Sequence, residues 1–486
     1  MCSGGLGKTD TGSTNVIGGL ALEVFERNGR RYGSSKPEYN FEPHVAEDVF
    51  LSMLSEAGVD VFYQVIATSV SMGKGGTVST INNASGTTFS AKAFADATYE
   101  GDLFAMAGAS FAVGRESSAT YGESFNGRYK YSPDNQIQTR VNPFAENGDP
   151  LPLVITGDVS PPGTGDKLVQ AYNFRLCVTQ NTSNFQPFPK PDSYDPEEWE
   201  LFRRYAVVLA QEKGGVQLRD FLGNTRQAIG SKFDMNNGGP LSTDCIGCSW
   251  AWPEAPWGQR AAIWSRHKQY HLSLMEFLRT DKSIPAAVRA EAASWGLCAD
   301  EFTDTGYWPE QLYVREGRRL VGDRVFTQNT AQKDHEQPDG IGCGSYNFDS
   351  HHSQRLVCAP DTKNCEPPSA QPPAGTNLTG WYFVDEGDVE INPGEYQIPF
   401  WVLLPKRAEL TNVIVPISVS SSHIGYCTLR LEPQYMIMGH AAGAAAALAV
   451  SGGVAVQDVP VARLQSILRS QHAILDLPST PRLRGA

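Results

Sequence analysis

One stretch restricts the fold more than any other: Thr411 to Val450, TNVIVPISVSSSHIGYCTLRLEPQYMIMGHAAGAAAALAV. A β-branched apolar run, Val413 to Val419, stops at a serine triplet (Ser420 to Ser422) and His423. Arg430 and Glu432 lie in the short connection that follows. From Pro433, seventeen residues have strong helix character and carry Gly439, Gly443 and an unbroken Ala444–Ala447 run. A run of Val and Ile bounded by turn residues reads as a buried strand. A helix almost bare on one face lets a backbone or a planar ligand come close. Its N-terminus offers free N–H groups and positive dipole potential to an electron-rich group. Strand, small polar turn and bare helix together suit a nucleotide-type cofactor; the helix alone equally suits tight packing in an α/β core. Seventeen residues with His440 among them fall short of the roughly 20 apolar residues of a membrane span. No other stretch is long and apolar enough, so no membrane partner is expected.

At 486 residues the chain has room for two or three domains. The formal charge of −13 disfavours nucleic acid as the main partner. Nine cysteines in irregular spacing argue against a complete disulfide framework. Cys245 and Cys248 form a single CxxC; without a second pair a metal site is disfavoured, and incidental cysteines are favoured over a single disulfide or a redox role. Cys358 and Cys365, in a Pro-rich loop, suit a local disulfide if the chain is secreted. Asn83, Asn181 and Asn377 each head an N-x-S/T sequon, a pattern that also arises by chance.

Apolar periodicity predicts a helix over 17–31, with Gly18 and Gly19 at its start, and another over 45–57. Short strands are expected at 59–63, 65–70, 77–81 and 88–97, then a turn at Glu100–Gly101–Asp102. From about residue 112 loops lengthen and aromatics become dense. Helices are expected over 196–211, 257–279 and 285–294, with a strand in 169–179. The organisation read from this is 1–111 and 397–456 as one domain, 112–396 as a large inserted α+β domain, and 457–486 as a terminal helix and tail.

Four blocks resemble the FAD-dependent oxidoreductases of the glutathione-reductase-like superfamily, in a subgroup some of whose members carry a xanthan-lyase label. They are SGGLGKTD at 3–10 with VIGGLALEVF at 16–25, FEPHVAEDVFLSML at 41–54, DATYEGDL at 96–103 with VGRES at 113–117, and SSSHIGYCTLRLEP with GHAAGAAAALA at 420–449. AYNFRLC at 171–177, DEFTDTGYWPEQLYVRE at 300–316 and GSYNFDSHHSQR at 344–355 extend the match across nearly the whole chain. The resemblance implies an α/β fold with an FAD-binding Rossmann-like domain, FAD as cofactor, a small-molecule or carbohydrate-like substrate and an electron acceptor of unknown identity. The family opens with a strand, GxGxxG and a helix that cradle the pyrophosphate; no GxGxxG occurs in this sequence. The domain is therefore expected to be truncated at its N-terminus, with FAD retention compromised.

By the same resemblance Ser3, Gly4 and Gly5 form a loop beside the flavin, and Gly18 and Gly19 shape it. Glu100 and Gly101 lie near the dinucleotide. Ser422 and Arg430 border the site, and the helix bearing Gly439 and Gly443 points at the flavin pyrimidine. His423 is the first acid/base candidate, since imidazole moves a proton near neutral pH. His351 and His352, beside Asp349, come second; neighbours on a strand point to opposite faces, so one of the two should face a pocket. Arg430 and Glu432 either position an anionic group or pair with each other, the pairing being favoured. Asp304, Arg315 and Glu316, then Tyr172, Asn173 and Arg175, are weaker substrate-facing candidates. His267 and His271 have metal-binding spacing on a helix, but a packed pair is favoured and no metal is expected. The tryptophans at 250, 252, 257, 295, 308 and 381 leave open a carbohydrate-binding or polysaccharide-lyase alternative; a non-functional truncated product is a third.

Overall fold

The structure is a computed structural model that describes residues 7–129, 132, 135–137, 141–157, 159–223, 225–358, 363–365 and 382–478. Ser3, Gly4, Gly5, Asn377 and Trp381 lie outside the described residues.

Helices α1 (Gly19–Arg31) and α2 (Pro43–Glu56) open the described chain. Pro43 sits at the first turn of α2, where its missing N–H costs nothing. The three antiparallel strands β1 (Ala67–Met72), β2 (Val78–Asn83) and β3 (Thr88–Ser90) form a meander. After it comes β4 (Phe94–Ala95). The strand expected at 59–63 does not form. Val59, Val61, Phe62, Tyr63, Val65 and Ile66 are all exposed. The segment has strand composition but no neighbouring strand to take up its backbone groups.

The middle of the chain is built on a five-stranded antiparallel sheet. Its strands are β5 (Leu176–Thr179), β6 (Phe185–Gln186), β7 (Thr225–Gln227), β8 (Lys232–Met235) and β9 (Gly296–Cys298), in spatial order β6-β9-β5-β8-β7. Helices α3 (Glu200–Lys213), α4 (Trp257–Thr280) and α5 (Ala286–Ala293) accompany it. Trp199, Phe202, Tyr270 and Phe277 stack within its core.

Three antiparallel pairs follow. They join β10 (Gly340–Gly344) to β15 (Tyr396–Pro399), β11 (Phe348–Ser350) to β14 (Val389–Ile391), and β12 (Gln354–Cys358) to β13 (Tyr382–Glu386). Strand β16 (Val413–Ile414) pairs in parallel with β4. The strand expected over 413–419 is thus two residues long. The chain instead turns through Ser418 to Ser421 into α6 (His423–Leu429), capped by the Ser422 hydroxyl, which accepts from the Gly425 N–H at 3.0 Å.

Helix α7 (Glu432–Gly452) is 21 residues long, four more than its sequence suggested. By length and composition it is enough to cross a membrane, where the seventeen residues read from sequence fell short. In the fold its Ile437, Met438, Ala441, Ala442, Ala445 and Ala449 enter a second core with Ile17, Ala21 and Phe25 of the N-terminal region. Gly19, at φ +59°, starts α1 directly against α7; a Cβ there would lie 2.7 Å from His440 Nδ1. Helix α8 (Val461–Ser470) covers the same core through Leu464 and Leu468. Residues 326–403 contribute Phe326, Ile341, Phe348 and Tyr396 to it.

Among the described residues three disulfides staple the chain: Cys177–Cys298, Cys245–Cys248 and Cys358–Cys365. Cys343 and Cys427 are free and buried. The irregular spacing had argued against a complete framework, and Cys343 and Cys427 stay unpaired; the CxxC, read first as incidental, is bridged, and Cys358–Cys365 forms the local disulfide its loop suggested. Cys177 and Cys298 are 121 residues apart but occupy adjacent strands β5 and β9, with Cα atoms 5.6 Å apart. Spacing along the chain carries no trace of that pairing.

Candidate functional site

A polar cleft of about 390 Å³ opens between the five-stranded sheet and the β11–β14 pair. Its walls include Asp10, Asn236, Tyr346, Asp349, His351 and Glu390. His351, just past β11, is the organising side chain. Its Nδ1 lies 2.7 Å from Asp244 Oδ2 and its Nε2 3.3 Å from Asp349 Oδ1. Its backbone N–H donates to Gln170 Oε1 at 3.1 Å. Each carboxylate is also held by a guanidinium: Asp244 by Arg315 at 3.0 Å, Asp349 by Arg430 at 3.1 Å.

These contacts set the charges. Burial alone would raise the Asp349 carboxyl, but Arg430 and His351 outweigh it and hold it well below the ordinary range. Asp244, also pushed up by burial, is brought down to about 2 by Arg315 and His351. For His351, burial and Arg315 oppose protonation, yet Asp244 and Asp349 prevail and raise its pKa. Glu390 stands opposite Asp349 across the β11–β14 pair. Burial, then the charges of Asp349 and Asp388, raise its pKa.

The cleft adjoins the first turn of α7 through Asp10, whose charge, after burial itself, raises the pKa of Glu432. Glu432 Oε1 accepts from the Tyr313 hydroxyl at 3.1 Å. Glu432 Oε2 and Gln434 Oε1 are buried without a hydrogen-bond partner. Unpartnered buried acceptors are costly, and these two lie in the same helical turn.

The structure separates the other candidates. His352 is buried away from the cleft, with Nε2 3.4 Å from Gln136 Nε2. His423 is fully enclosed at the start of α6, Nδ1 2.8 Å from Glu316 and Nε2 3.2 Å from Ser350 Oγ. Ser422 donates to Glu123 Oε1 at 2.7 Å. Arg430 pairs with Asp349 rather than with Glu432, because α6 and α7 turn the two side chains to different neighbours. Gly18 is walled in by the backbone of His472 and Ile474. Glu100 accepts from Trp252 Nε1 at 2.9 Å, and Gly101, at φ +65°, precedes the short helix Asp102–Met106. Gly439 and Gly443 were expected to allow close packing; both are exposed with open space above them.

Arg315 and Glu316 do turn inward, one to Asp244 and the other to His423. Asp304 is exposed. Asn173 and Arg175 are buried, and Arg175 pairs with Asp234. Tyr172 donates to the Glu316 carbonyl. His267 and His271 pack among aromatics with their Nδ1 atoms on helix carbonyls, and burial lowers both pKa values to about 4. Asp244, Tyr346 and Glu390 were missed by sequence reasoning. Asp244 lies inside the segment DCIGC, where nothing in its spacing relates it to His351 over 100 residues away.

An α/β protein with a histidine clamped by two carboxylates in a polar cleft has the equipment of an enzyme that moves protons. The chain belongs to the FAD-dependent oxidoreductase family, whose model matches residues 1–468. No curated protein and no solved structure matches it.

Proposed function

We propose that the chain oxidises a polar, hydroxyl-bearing small molecule bound in the cleft, with FAD as the two-electron acceptor and His351 as the acid/base group. The observation that carries this reading is His351 itself, suspended between Asp244 and Asp349 in the cleft wall. The cleft surface is mostly polar, with amide, carboxylate and phenol groups able to bind hydroxyls. The described residues suit a flavin at the first turn of α7. There the partnerless Glu432 Oε2 or Gln434 Oε1 would accept from the ring's one N–H, beside the positive end of the helix. The open Gly439–Gly443 face continues from that turn. A Rossmann-like topology agrees with the parallel β4–β16 pair beside this helix. When bound, FAD supplies hydride acceptance; everything else falls to the chain.

Asp244 and Asp349 orient the imidazole and fix its protonation. Arg315 and Arg430 keep both carboxylates ionised and in place. Oxidation of an alcohol releases a proton from oxygen as hydride leaves carbon, and neutral His351 accepts that proton. The pKa of His351 is raised, so the neutral form is populated only above the ordinary imidazole value. The rate of oxidation should therefore climb with pH through a limb above about 6.5.

The test is anaerobic reduction of FAD-reconstituted protein by a panel of polyols, sugars and hydroxy acids. His351→Asn should lose about 10²–10⁴ in rate together with the acid limb. Protein that stays colourless after FAD is added defeats the reading, and so does a His351→Asn variant with an unchanged pH profile.

A second reading keeps one observation of its own. Trp252, Trp257, Trp264 and Trp308 line a separate groove of about 460 Å³; Trp252 and Trp308 are buried in its floor, and the exposed Trp257 offers an indole face of the kind that stacks on a sugar ring. A carbohydrate-binding or polysaccharide-lyase role would show as retention on a polysaccharide column or release of unsaturated product. Nucleic-acid and membrane partners form no part of either reading.

A further inference from the structure

The three disulfides and the sequons belong together. A chain whose fold pairs Cys177 with Cys298, Cys245 with Cys248 and Cys358 with Cys365 matures where thiols are oxidised. In cells that glycosylate asparagine, this is also where N-x-S/T sequons meet the oligosaccharide transferase. The structure distinguishes the two sequons it describes.

Asn83 is buried in the turn between β2 and β3. Its Oδ1 accepts from the Ser85 N–H at 3.1 Å, the Ser85 hydroxyl at 2.8 Å and the Thr87 N–H at 2.8 Å. These bonds and its burial hold the Asn83 side chain against the hairpin. Asn181 is exposed, as are Thr182 and Ser183. It ends the turn after β5, four residues beyond the Cys177 bridge. Its Oδ1 accepts from the Ser183 hydroxyl at 2.8 Å, as Asn83 Oδ1 does from Ser85; what sets Asn181 apart is its exposure. Its Nδ2 reaches the exposed Ser231 Oγ at 3.3 Å, the long end of hydrogen bonding, and leaves the amide nitrogen accessible.

We propose that Asn181 carries an N-linked glycan and Asn83 does not. The donor is a lipid-pyrophosphate-linked oligosaccharide. The Asn181 Nδ2 forms a bond to C1 of the first sugar as the C1–O bond to pyrophosphate breaks. The lipid pyrophosphate leaves with the bonding pair, and the amide gives up one proton to a base of the transferase. The glycan stands off the rim of the five-stranded sheet, on the side of the turn that the core leaves free. The proposal is independent of what the cleft binds.

The test is the full chain expressed behind a secretion signal in a eukaryotic host, followed by site-specific glycopeptide mass spectrometry and amidase digestion. The Asn181 peptide should be recovered glycosylated and converted to Asp by the amidase, with the Asn83 peptide unmodified. Asn181→Gln should remove that glycan. Ser183→Ala should remove it while keeping the asparagine, and Ser183→Thr should keep it. The proposal is overturned by an unmodified Asn181 peptide in secreted chain whose Cys177–Cys298 bridge is intact. It is equally overturned by a glycan on Asn83, by cysteines recovered reduced, or by Ser183→Ala leaving the Asn181 glycan in place.

Discussion

The middle of the molecule and the segment from Val59 to Ala95 handle polar and apolar groups in opposite ways. In the middle, charges are buried: Arg115 with Glu386 at 2.6 Å, Arg355 with Asp385 at 2.7 Å, Arg175 with Asp234. Disulfides and a large aromatic core surround them. In the Val59–Ala95 segment apolar side chains are left outside; Phe62 and Tyr63 are 64% and 67% exposed. Burying a charge is tolerated only where its partner is fixed by surrounding structure. Leaving Phe in water forgoes stabilisation but breaks nothing. The first region therefore fails sharply when one group is removed, and the second should barely respond.

The largest effect should come from Arg115→Leu. It strands Glu386, which is fully buried, and removes one partner of Asp166. A loss of about 3–5 kcal/mol is expected in urea unfolding; a loss below about 1 kcal/mol would erase the contrast between the regions. Next, Cys177→Ser with Cys298→Ser opens a long loop and should cost about 2–5 kcal/mol. Thermal melts with and without reductant would show the wild type losing more than the variant, which keeps only the Cys245–Cys248 and Cys358–Cys365 bridges.

Acid should then separate the regions. Asp244 and Asp349 have pKa values depressed in the fold, so their contribution is present above the unfolded carboxylate range and is lost as pH falls through their folded values, near 2 for Asp244. His351 has the opposite sign: its pKa is raised, so its contribution is present in acid and disappears as pH climbs through the raised value. Stability of Asp244→Asn against pH should lose the Asp244 share of the acid part of this profile, leaving that of Asp349. The smallest effect belongs to Phe62→Ser, expected within about 0.5 kcal/mol of wild type. A large loss there would mean that the exposed segment is covered in the folded protein.

Much of the frame was legible because it depends on local periodicity. Helix α4 was expected over 257–279 and runs Trp257–Thr280; α1 and α5 lie within two residues of their expected bounds. Strands fared worse, since a strand exists only where a partner lies alongside. The run at 59–63 has the composition without the partner, and that at 413–419 finds one for two residues. The candidate site followed the same rule. The motif DSHH put His351 and Asp349 in view, but their partners Asp244, Arg315 and Arg430 come from three distant segments.

The sequence by itself determined helices α1, α2, α4 and α5, the membership carried by the FAD-dependent oxidoreductase blocks, and the bare surface of α7. Each is written in neighbouring residues, through a 3.6-residue period, a motif or a run of small side chains. The tertiary structure alone decided which histidine faces the cleft, which cysteines are joined, and that Arg430 serves Asp349. It also decided that Gly439 and Gly443 look into open space while Gly19 meets His440. Those outcomes depend on which surfaces meet across tens to hundreds of residues, and no local pattern encodes that.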